Sequence, residues 1–215
     1  MIPETTYRHY LAALLAGDRT GCAALSMELL ETGLAPEELY TGLFQRSLYQ
    51  VGELWEQNRV SVAVEHLATA VTESLLAAVY PRILGRGGKS RGKAVISCSV
   101  NEYHQVGARM VADIMETRGW DTWFLGANTP TTDLLLMLQE KEPDLLGLSV
   151  SIYFNMAHLH KTVETVRAHY PGLDIIVGGQ AFRWGGIDMI TPLPQVICAP
   201  SLEDLLRTID TENRS

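Results

Sequence analysis

Apolar side chains in the first 80 residues recur at the three- and four-residue spacing of helices, and no convincing strand occurs there. We predict four helices, at 4–16, 19–32, 36–57 and 62–80. Gly33 ends the second helix, Pro36 lies near the start of the third, and Ser61 can cap the fourth. Because the connections are short, the helices should run antiparallel as a four-helix bundle domain spanning residues 1–84.

Residues 85–93, GRGGKSRGK, are basic and rich in glycine, as flexible linkers are. The segment lacks the spacing of a phosphate-binding P-loop, and it precedes its strand instead of following it. We therefore interpret it as the linker between two domains.

Beyond the linker, in residues 94–215, short apolar runs alternate with helical patterns. The runs are continuous, which is typical of parallel strands covered on both faces. This pattern predicts a flavodoxin-like, doubly wound α/β domain, which binds ligands at the carboxyl ends of its strands. The predicted strands are 94–99, 122–126, 145–150, 174–179 and 195–199, and the predicted helices are about 104–118, 131–141, 156–169, 184–190 and 201–211.

The composition excludes several kinds of protein. The net charge of −8 argues against a nucleic-acid surface, so we expect no direct DNA binding. The sequence has three cysteines, Cys22, Cys98 and Cys198, and no CxxC motif. This number and spacing suggest neither a disulfide framework nor a zinc site. The N-terminus lacks the apolar core of a signal peptide, and no apolar run looks long enough to span a bilayer. We expect a cytoplasmic protein that does not enter membranes.

Polar and glycine residues converge on the carboxyl ends of the predicted strands. Glu102-x-His104-x-x-Gly107 follows the first strand, Ser149 falls at the end of the third, and Gly178-Gly179 ends the fourth. A histidine at such a turn can be a metal ligand, a base or an ordinary polar residue. A carboxylate two residues earlier can fix its tautomer and direction, and glycine allows a ligand to approach the backbone.

This combination resembles the cobalamin-binding domain, whose pattern is Asp/Glu-x-His-x-x-Gly, then Ser-x-Leu or a variant, then Gly-Gly. The resemblance implies that His104 is the lower axial ligand of cobalt, that Glu102 orients it, and that Gly107 lies close to the cofactor. It also implies that the nucleotide tail of the cofactor runs into the sheet domain. This chain has Ser149-Val150-Ser151 in place of Ser-x-Leu. The residues implied along the tail are Ser149, Ser151, Gly178 and Gly179.

The helical half carries Trp55, nine further residues, and then Glu65-His66. Taken alone, Trp55 can be a core residue and His66 a surface histidine. The spacing, however, resembles the cap domain of CarH-type light-dependent regulators, as do FLGANTP at 124–130 and GGQ at 178–180. The resemblance implies that Trp55 and Glu65 contact the adenosyl group of adenosylcobalamin, and that His66 can bind cobalt after light breaks the cobalt–carbon bond.

CarH-type repressors begin with a MerR-type DNA-binding domain, whereas this sequence starts almost at the cap. We therefore expect a stand-alone cobalamin-dependent photoreceptor that is not itself an enzyme. Its output would pass to an effector protein or through a change of homo-oligomer. One alternative is a corrinoid methyl carrier of a methyltransferase system. Another is a photocobilin-like receptor that also binds a bilin. Candidate bilin-lining residues are Tyr153, His158, His160 and Trp184. We favour the plainer interpretation, in which the two histidines lie on a solvated helix face and the two aromatic residues pack in the sheet domain.

Overall fold

Two structural units, Met1–Leu84 and Gly85–Ser215, make up the chain. The computed structural model describes residues 1–83, 91–190 and 192–211. Most of the predicted linker, up to residue 90, lies outside the described residues. Its last two residues, Gly92 and Lys93, already belong to the first strand of the sheet.

The first unit is helical, as predicted. A π-helical segment, Tyr40–Gln45, joins α3 to α4. The backbone at both joins keeps right-handed helical angles, so the predicted third helix is continuous but contains this wider turn. The helices are α1 (Glu4–Ala16), α2 (Arg19–Glu31), α3 (Pro36–Leu39), α4 (Arg46–Glu56) and α5 (Val62–Ile83).

Local signals in the sequence set the helix ends of this unit. Helix α1 ends at Gly17, whose φ of 70° is in the left-handed region that glycine tolerates best. The Asp18 side chain then accepts a hydrogen bond of 2.9 Å from the Gly21 N–H and caps α2. Inside the unit, Phe44 packs against Tyr10 and Tyr40, with ring centroids 5.9 and 5.8 Å away.

Helix α5 is the most apolar long helix of this unit. Among the residues that the structure describes, it alone is long and apolar enough to cross a membrane by length and composition. The expectation that no segment reaches that length is therefore wrong. A core helix has the same composition, and α5 packs against α1, α2 and α4 through buried residues such as Val71, Leu75 and Val79. Packing accounts for the buried part of its apolar surface, since 33% of its most apolar 18 residues are buried.

The second unit is a five-stranded parallel sheet with the strand order β2-β1-β3-β4-β5, which confirms the predicted doubly wound fold. The order reverses between β1 and β3, and ligands of such sheets bind near this point. Cys98 of β1 pairs with Ser149 of β3, which in turn pairs with Gly178 of β4. The strands are β1 (Gly92–Cys98), β2 (Trp120–Gly126), β3 (Leu145–Ser149), β4 (Asp174–Gly178) and β5 (Val196–Cys198).

Helices cover both faces of the sheet and bury two apolar clusters. One cluster lies under α7 and α8 and includes Val95, Leu146 and Val177. The other lies under α6 and α10 and contains many small side chains, among them Ala94, Cys98, Ala108, Ala112 and Ala199. The helices are α6 (Val106–Thr117), α7 (Thr131–Lys141), α8 (Met156–His169), α9 (Ile187–Ile190) and α10 (Leu202–Thr211).

The segment after β4 differs from the prediction. A helix over about 184–190 was expected, but Gln180–Trp184 forms a 3-10 helix and α9 begins only at Ile187. Gly185 and Gly186 separate them with φ values of 113° and 86°. A right-handed helix cannot pass through these angles, so the predicted helix starts only after the two glycines. A second 3-10 helix, Tyr153–Asn155, precedes α8.

Candidate functional site

Glu102 and His104 lie in the loop between β1 and α6, at the carboxyl edge of the sheet. The Nδ1 atom of His104 is 2.6 Å from Glu102 Oε1, and the backbone N–H of His104 donates to the same oxygen at 2.9 Å. An ionised carboxylate can only accept hydrogen bonds, so the proton between them belongs to Nδ1. The pair therefore fixes both the tautomer and the direction of the ring.

The other oxygen of Glu102 is held by a different loop. Glu102 Oε2 accepts hydrogen bonds from the backbone N–H groups of Ser151 and Ile152 at 2.8 and 3.0 Å, and from Asn155 Nδ2 at 3.3 Å. The Glu102 side chain is fully buried. The loop after β3 thus holds the carboxylate that orients His104.

These hydrogen bonds also set the charge of Glu102. Burial by itself would raise the pKa of a carboxyl group. In Glu102 the hydrogen bonds from the His104 ring and from the N–H groups of Ile152, His104 and Ser151 outweigh burial and lower the pKa to about 2. Glu102 is therefore ionised at neutral pH, as the tautomer assignment requires.

The His104 ring is accessible although its orienting partner is buried. Its side chain is 58% exposed. In the parts of the chain that the structure describes, no three His, Cys, Asp or Glu side chains are grouped as a metal site made of protein alone requires. A single directed imidazole suits a metal that brings most of its own ligands. Gly107, in the first turn of α6, has only open space where a Cβ would stand, so a bulky group can approach there.

Gly178 and Gly179 have a structural role that sequence reasoning did not find. A Cβ on Gly178 would stand 2.5 Å from the Ala199 carbonyl oxygen. At Gly179, φ is 116° and a Cβ would overlap the backbone of Val150, including its carbonyl oxygen. Both glycines therefore let β4 pass close to neighbouring backbone. Their predicted contact with a ligand tail stays a prediction.

Trp55, Glu65 and His66 lie in the first unit, on consecutive packed helices. Trp55 is 46% exposed, so it is not a core residue. His66 Nδ1 lies 2.6 Å from Glu65 Oε2, and the Thr69 hydroxyl donates to Glu65 Oε1 at 3.2 Å. The first unit therefore has its own carboxylate–imidazole pair, on a more exposed surface than the Glu102–His104 pair.

Comparison with known proteins follows this division into two units. Residues 6–80 and residues 92–186 each match a family described as B12 binding domain. The chain belongs to the B12-binding proteins. These matches show a cobalamin-binding protein, and they lie one on the helical unit and one on the sheet unit.

Two curated relatives of this B12-binding protein are transcriptional repressors of Myxococcus xanthus. The chain is 29% identical to the HTH-type transcriptional repressor CarH over 182 residues, which are 84% of this chain and 59% of CarH. It is 31% identical to the repressor CarA over 125 residues, which are 58% of this chain and 43% of CarA. The chain thus spans about half the length of these two relatives.

A solved structure shows the same fold. The monomethylamine corrinoid protein of Methanosarcina barkeri matches with a TM-score of 0.77 over 94% of this chain and 96% of that chain, at 14% identity. This likeness concerns the fold of the B12-binding protein alone.

Asn155 is the site residue that sequence reasoning missed. It follows the exposed residues Tyr153 and Phe154 in a 3-10 helix, and no motif marks it. Its Nδ2 donates to Glu102 and also to the Asn101 carbonyl oxygen at 3.0 Å. An asparagine in the loop that follows β3 was the available signal, but only the fold places it beside a residue so distant in sequence.

The candidate bilin-lining residues are divided among different contacts. His158 Nε2 lies 3.1 Å from Asn101 Nδ2, and His160 lies 3.4 Å from Glu164 along α8. Tyr153 and Trp184 are both exposed, so neither packs in the core of the sheet unit. These contacts give no reason to assign a bilin to the B12-binding protein.

We predict that ionisation of Glu102 stabilises the folded chain and that this stabilisation is lost at low pH. Because its pKa is lower in the folded chain than the ordinary value of 4.5, ionisation favours the folded state. This contribution, about 3 kcal/mol, is complete above pH 4.5 and is lost as the pH falls toward about 2. Urea unfolding at a series of pH values should show that the free energy of unfolding falls more steeply with decreasing pH for the parent than for Glu102→Gln. Equal pH dependence in the two proteins would contradict the low pKa assigned to Glu102.

We predict that Gly179→Ala destabilises the fold by more than about 2 kcal/mol, because a Cβ would overlap Val150 at a positive φ. Gly172→Ala is the matched control, since nothing lies within 4 Å of its Cβ position. The control should change stability by less than about 1 kcal/mol. Chemical denaturation of both variants measures the difference, and similar values for the two would show that Gly179 is not constrained.

Proposed function

We propose that this cobalamin-binding protein is a light sensor that uses adenosylcobalamin and passes its signal to an effector protein or to a change of homo-oligomer. The observation that carries cobalamin ligation is His104, directed by a fully buried, ionised Glu102 at the carboxyl edge of the sheet. The pattern that supports light sensing is Trp55 followed by Glu65-His66, which resembles the cap of CarH-type regulators.

The residues of the sheet unit fit a lower axial ligand. With Nδ1 bound to Glu102, Nε2 is the atom that His104 would offer to cobalt. Glu102 would increase the basicity of the ring and prevent its rotation. The open space at Gly107 leaves room for the bulk of a corrin ring beside the ligand.

The sheet also offers a place for the nucleotide tail. Ser149 lies on the same face of β3 as Leu145, because side chains two and four residues apart along a strand share a face. That face belongs to the cluster under α6 and α10 with its many small side chains. We propose that Ser149 hydrogen-bonds the tail there, and that Ser151, Gly178 and Gly179 lie beside the tail at the carboxyl edge of the sheet.

The residues of the helical unit fit the upper side of the cofactor. When bound, adenosylcobalamin supplies a cobalt–carbon bond that light can break. The exposed indole of Trp55 offers an apolar surface for the adenosyl group, and Glu65 offers an acceptor for its hydroxyl groups. Losing these contacts would remove stabilisation from the dark conformation, which is how a ligand shifts a conformational equilibrium.

The second candidate is a corrinoid methyl carrier, a function that is compatible with the fold shared with the monomethylamine corrinoid protein. A methyl carrier needs the upper face of its cofactor open to partner enzymes. The exposed Trp55, with the Glu65–His66 pair on the next helix, favours a covered upper face. We therefore place the sensor first and regard the protein as a sensor rather than an enzyme.

We predict that the purified protein, loaded with adenosylcobalamin in the dark, shows an imidazole-ligated cobalamin spectrum that changes on green illumination. His104→Ala should lose that ligation and bind the cofactor more weakly than the parent does. Dark and illuminated absorption spectra and a binding titration measure both effects, and gel filtration with limited proteolysis in the dark and after illumination reports oligomeric state and conformation. Unchanged binding and spectrum in His104→Ala would contradict the ligand assignment, and a loaded parent whose oligomeric state and conformation do not change on illumination would favour the carrier.

We predict that His66 binds cobalt in the illuminated state. Because His66 is 74% exposed, its ring is free to reorient. Illuminated His66→Ala should give the spectrum of a water-ligated cobalamin, whereas the parent should show a second nitrogen ligand. His169→Ala, which changes an exposed histidine at the end of α8, is the control and should behave as the parent does. If His66→Ala retains the parent spectrum, another residue is the upper ligand.

A further inference from the structure

Asn128 lies in the β2–α7 loop, within the segment FLGANTP at 124–130, and packs against the loop that carries Glu102 and His104. It bonds to consecutive residues of that loop. The Asn101 N–H donates to Asn128 Oδ1 at 2.8 Å, and the Asn128 N–H donates to the Glu102 carbonyl oxygen at 2.9 Å. Asn128 Nδ2 also donates to the Tyr103 hydroxyl at 3.2 Å.

The backbone explains why an asparagine stands at this place. Asn128 has a φ of 49° and Asn101 a φ of 63°, both in the left-handed region. Asparagine tolerates this region better than most residues with a side chain. Glycine would keep the conformation and the backbone bond but would lose both side-chain bonds. Aspartate would keep the conformation and the acceptor for the Asn101 N–H.

The loop that carries Glu102 also forms hydrogen bonds with the segment that follows β3. Asn155 Nδ2 donates to the Asn101 carbonyl oxygen at 3.0 Å, and His158 Nε2 lies 3.1 Å from Asn101 Nδ2. These contacts come from the 3-10 helix and α8 that follow β3. Removing Asn128 would therefore leave the residues before His104 held mainly from one side.

We infer that Asn128 is a positioning residue for His104. It holds the backbone from Asn101 to Tyr103, that backbone places the carboxylate of Glu102, and the carboxylate directs the imidazole. The inference rests on the proposed role of His104 as the lower cobalt ligand. It makes the β2–α7 loop, which contributes no ligand itself, a part of the ligation site.

The test compares Asn128→Gly, Asn128→Asp and the parent, each loaded with adenosylcobalamin in the dark. The absorption spectrum reports the fraction of bound cofactor that has an imidazole ligand, and a titration gives its affinity. Asn128→Gly should lose imidazole ligation in a large part of the bound cofactor and bind about 10-fold more weakly. Asn128→Asp should restore most of the ligation, because it keeps the acceptor for the Asn101 N–H.

Glu142→Gly is the matched control, since Glu142 also has a positive φ, 46°, but caps the end of α7, just before β3. Its spectrum and affinity should equal those of the parent. In the protein without cofactor, hydrogen exchange of the amides of 101–104 should be faster in Asn128→Gly than in the parent and in Glu142→Gly.

The outcomes separate two kinds of failure. A parent that does not bind cobalamin through His104 would contradict the proposed function itself. A parent that does so, together with an Asn128→Gly variant of unchanged spectrum, affinity and exchange, would overturn the inference about Asn128 alone. The inference would also be contradicted if Asn128→Gly loses imidazole ligation and Asn128→Asp does not restore it. The side-chain oxygen that accepts from the Asn101 N–H would then not be what positions His104.

Discussion

The binding edge of the sheet depends on one buried charge, the carboxylate of Glu102. Removing a carboxylate from water costs several kcal/mol unless donors replace the water. Here two groups of His104 donate to one oxygen, and Ser151, Ile152 and Asn155 donate to the other. Neither the loop after β1 nor the loop after β3 can move alone without leaving the charge unsatisfied. The two loops therefore form one rigid support for the His104 ring.

The contrast with the Glu65–His66 pair shows how the same two side chains can serve different purposes. Both pairs join Nδ1 to a carboxylate oxygen at 2.6 Å. Glu65, however, is 26% exposed and has the Thr69 hydroxyl as a further partner, whereas Glu102 is buried among backbone donors. An exposed pair gains little free energy and breaks easily. An exposed pair therefore suits the proposed role of His66, which changes its partner. A buried pair suits the proposed role of His104, which stays in place.

Periodic stretches of the sequence predicted the fold well, because the pattern of buried side chains and the local capping signals determine them. The predicted helices at 131–141 and 156–169 have the same ends as α7 and α8. Features that depend on contacts between segments far apart in the sequence could not be predicted. The contact of Asn155 with Glu102, the need for Gly179 beside Val150, and the π-helical turn at Tyr40–Gln45 follow from packing between segments rather than from a local pattern. The residues of E-x-H-x-x-G were found, but the donors that make the glutamate useful were not.

The proposed ligation residues of the sheet unit suit a sensor and a carrier equally well. Both need cobalt bound by an aimed imidazole and a cofactor tail anchored in the sheet, and a shared fold does not imply a shared function. The distinction must come from the residues over the reactive face. A carrier gains from small or mobile groups that let partner enzymes approach, whereas a sensor gains from a side chain that recognises the upper ligand and responds to its loss. In the proposed arrangement, an exposed tryptophan followed on the next helix by a carboxylate–imidazole pair meets the second requirement. For this reason the helical unit, rather than the histidine of the sheet, carries the argument for light sensing.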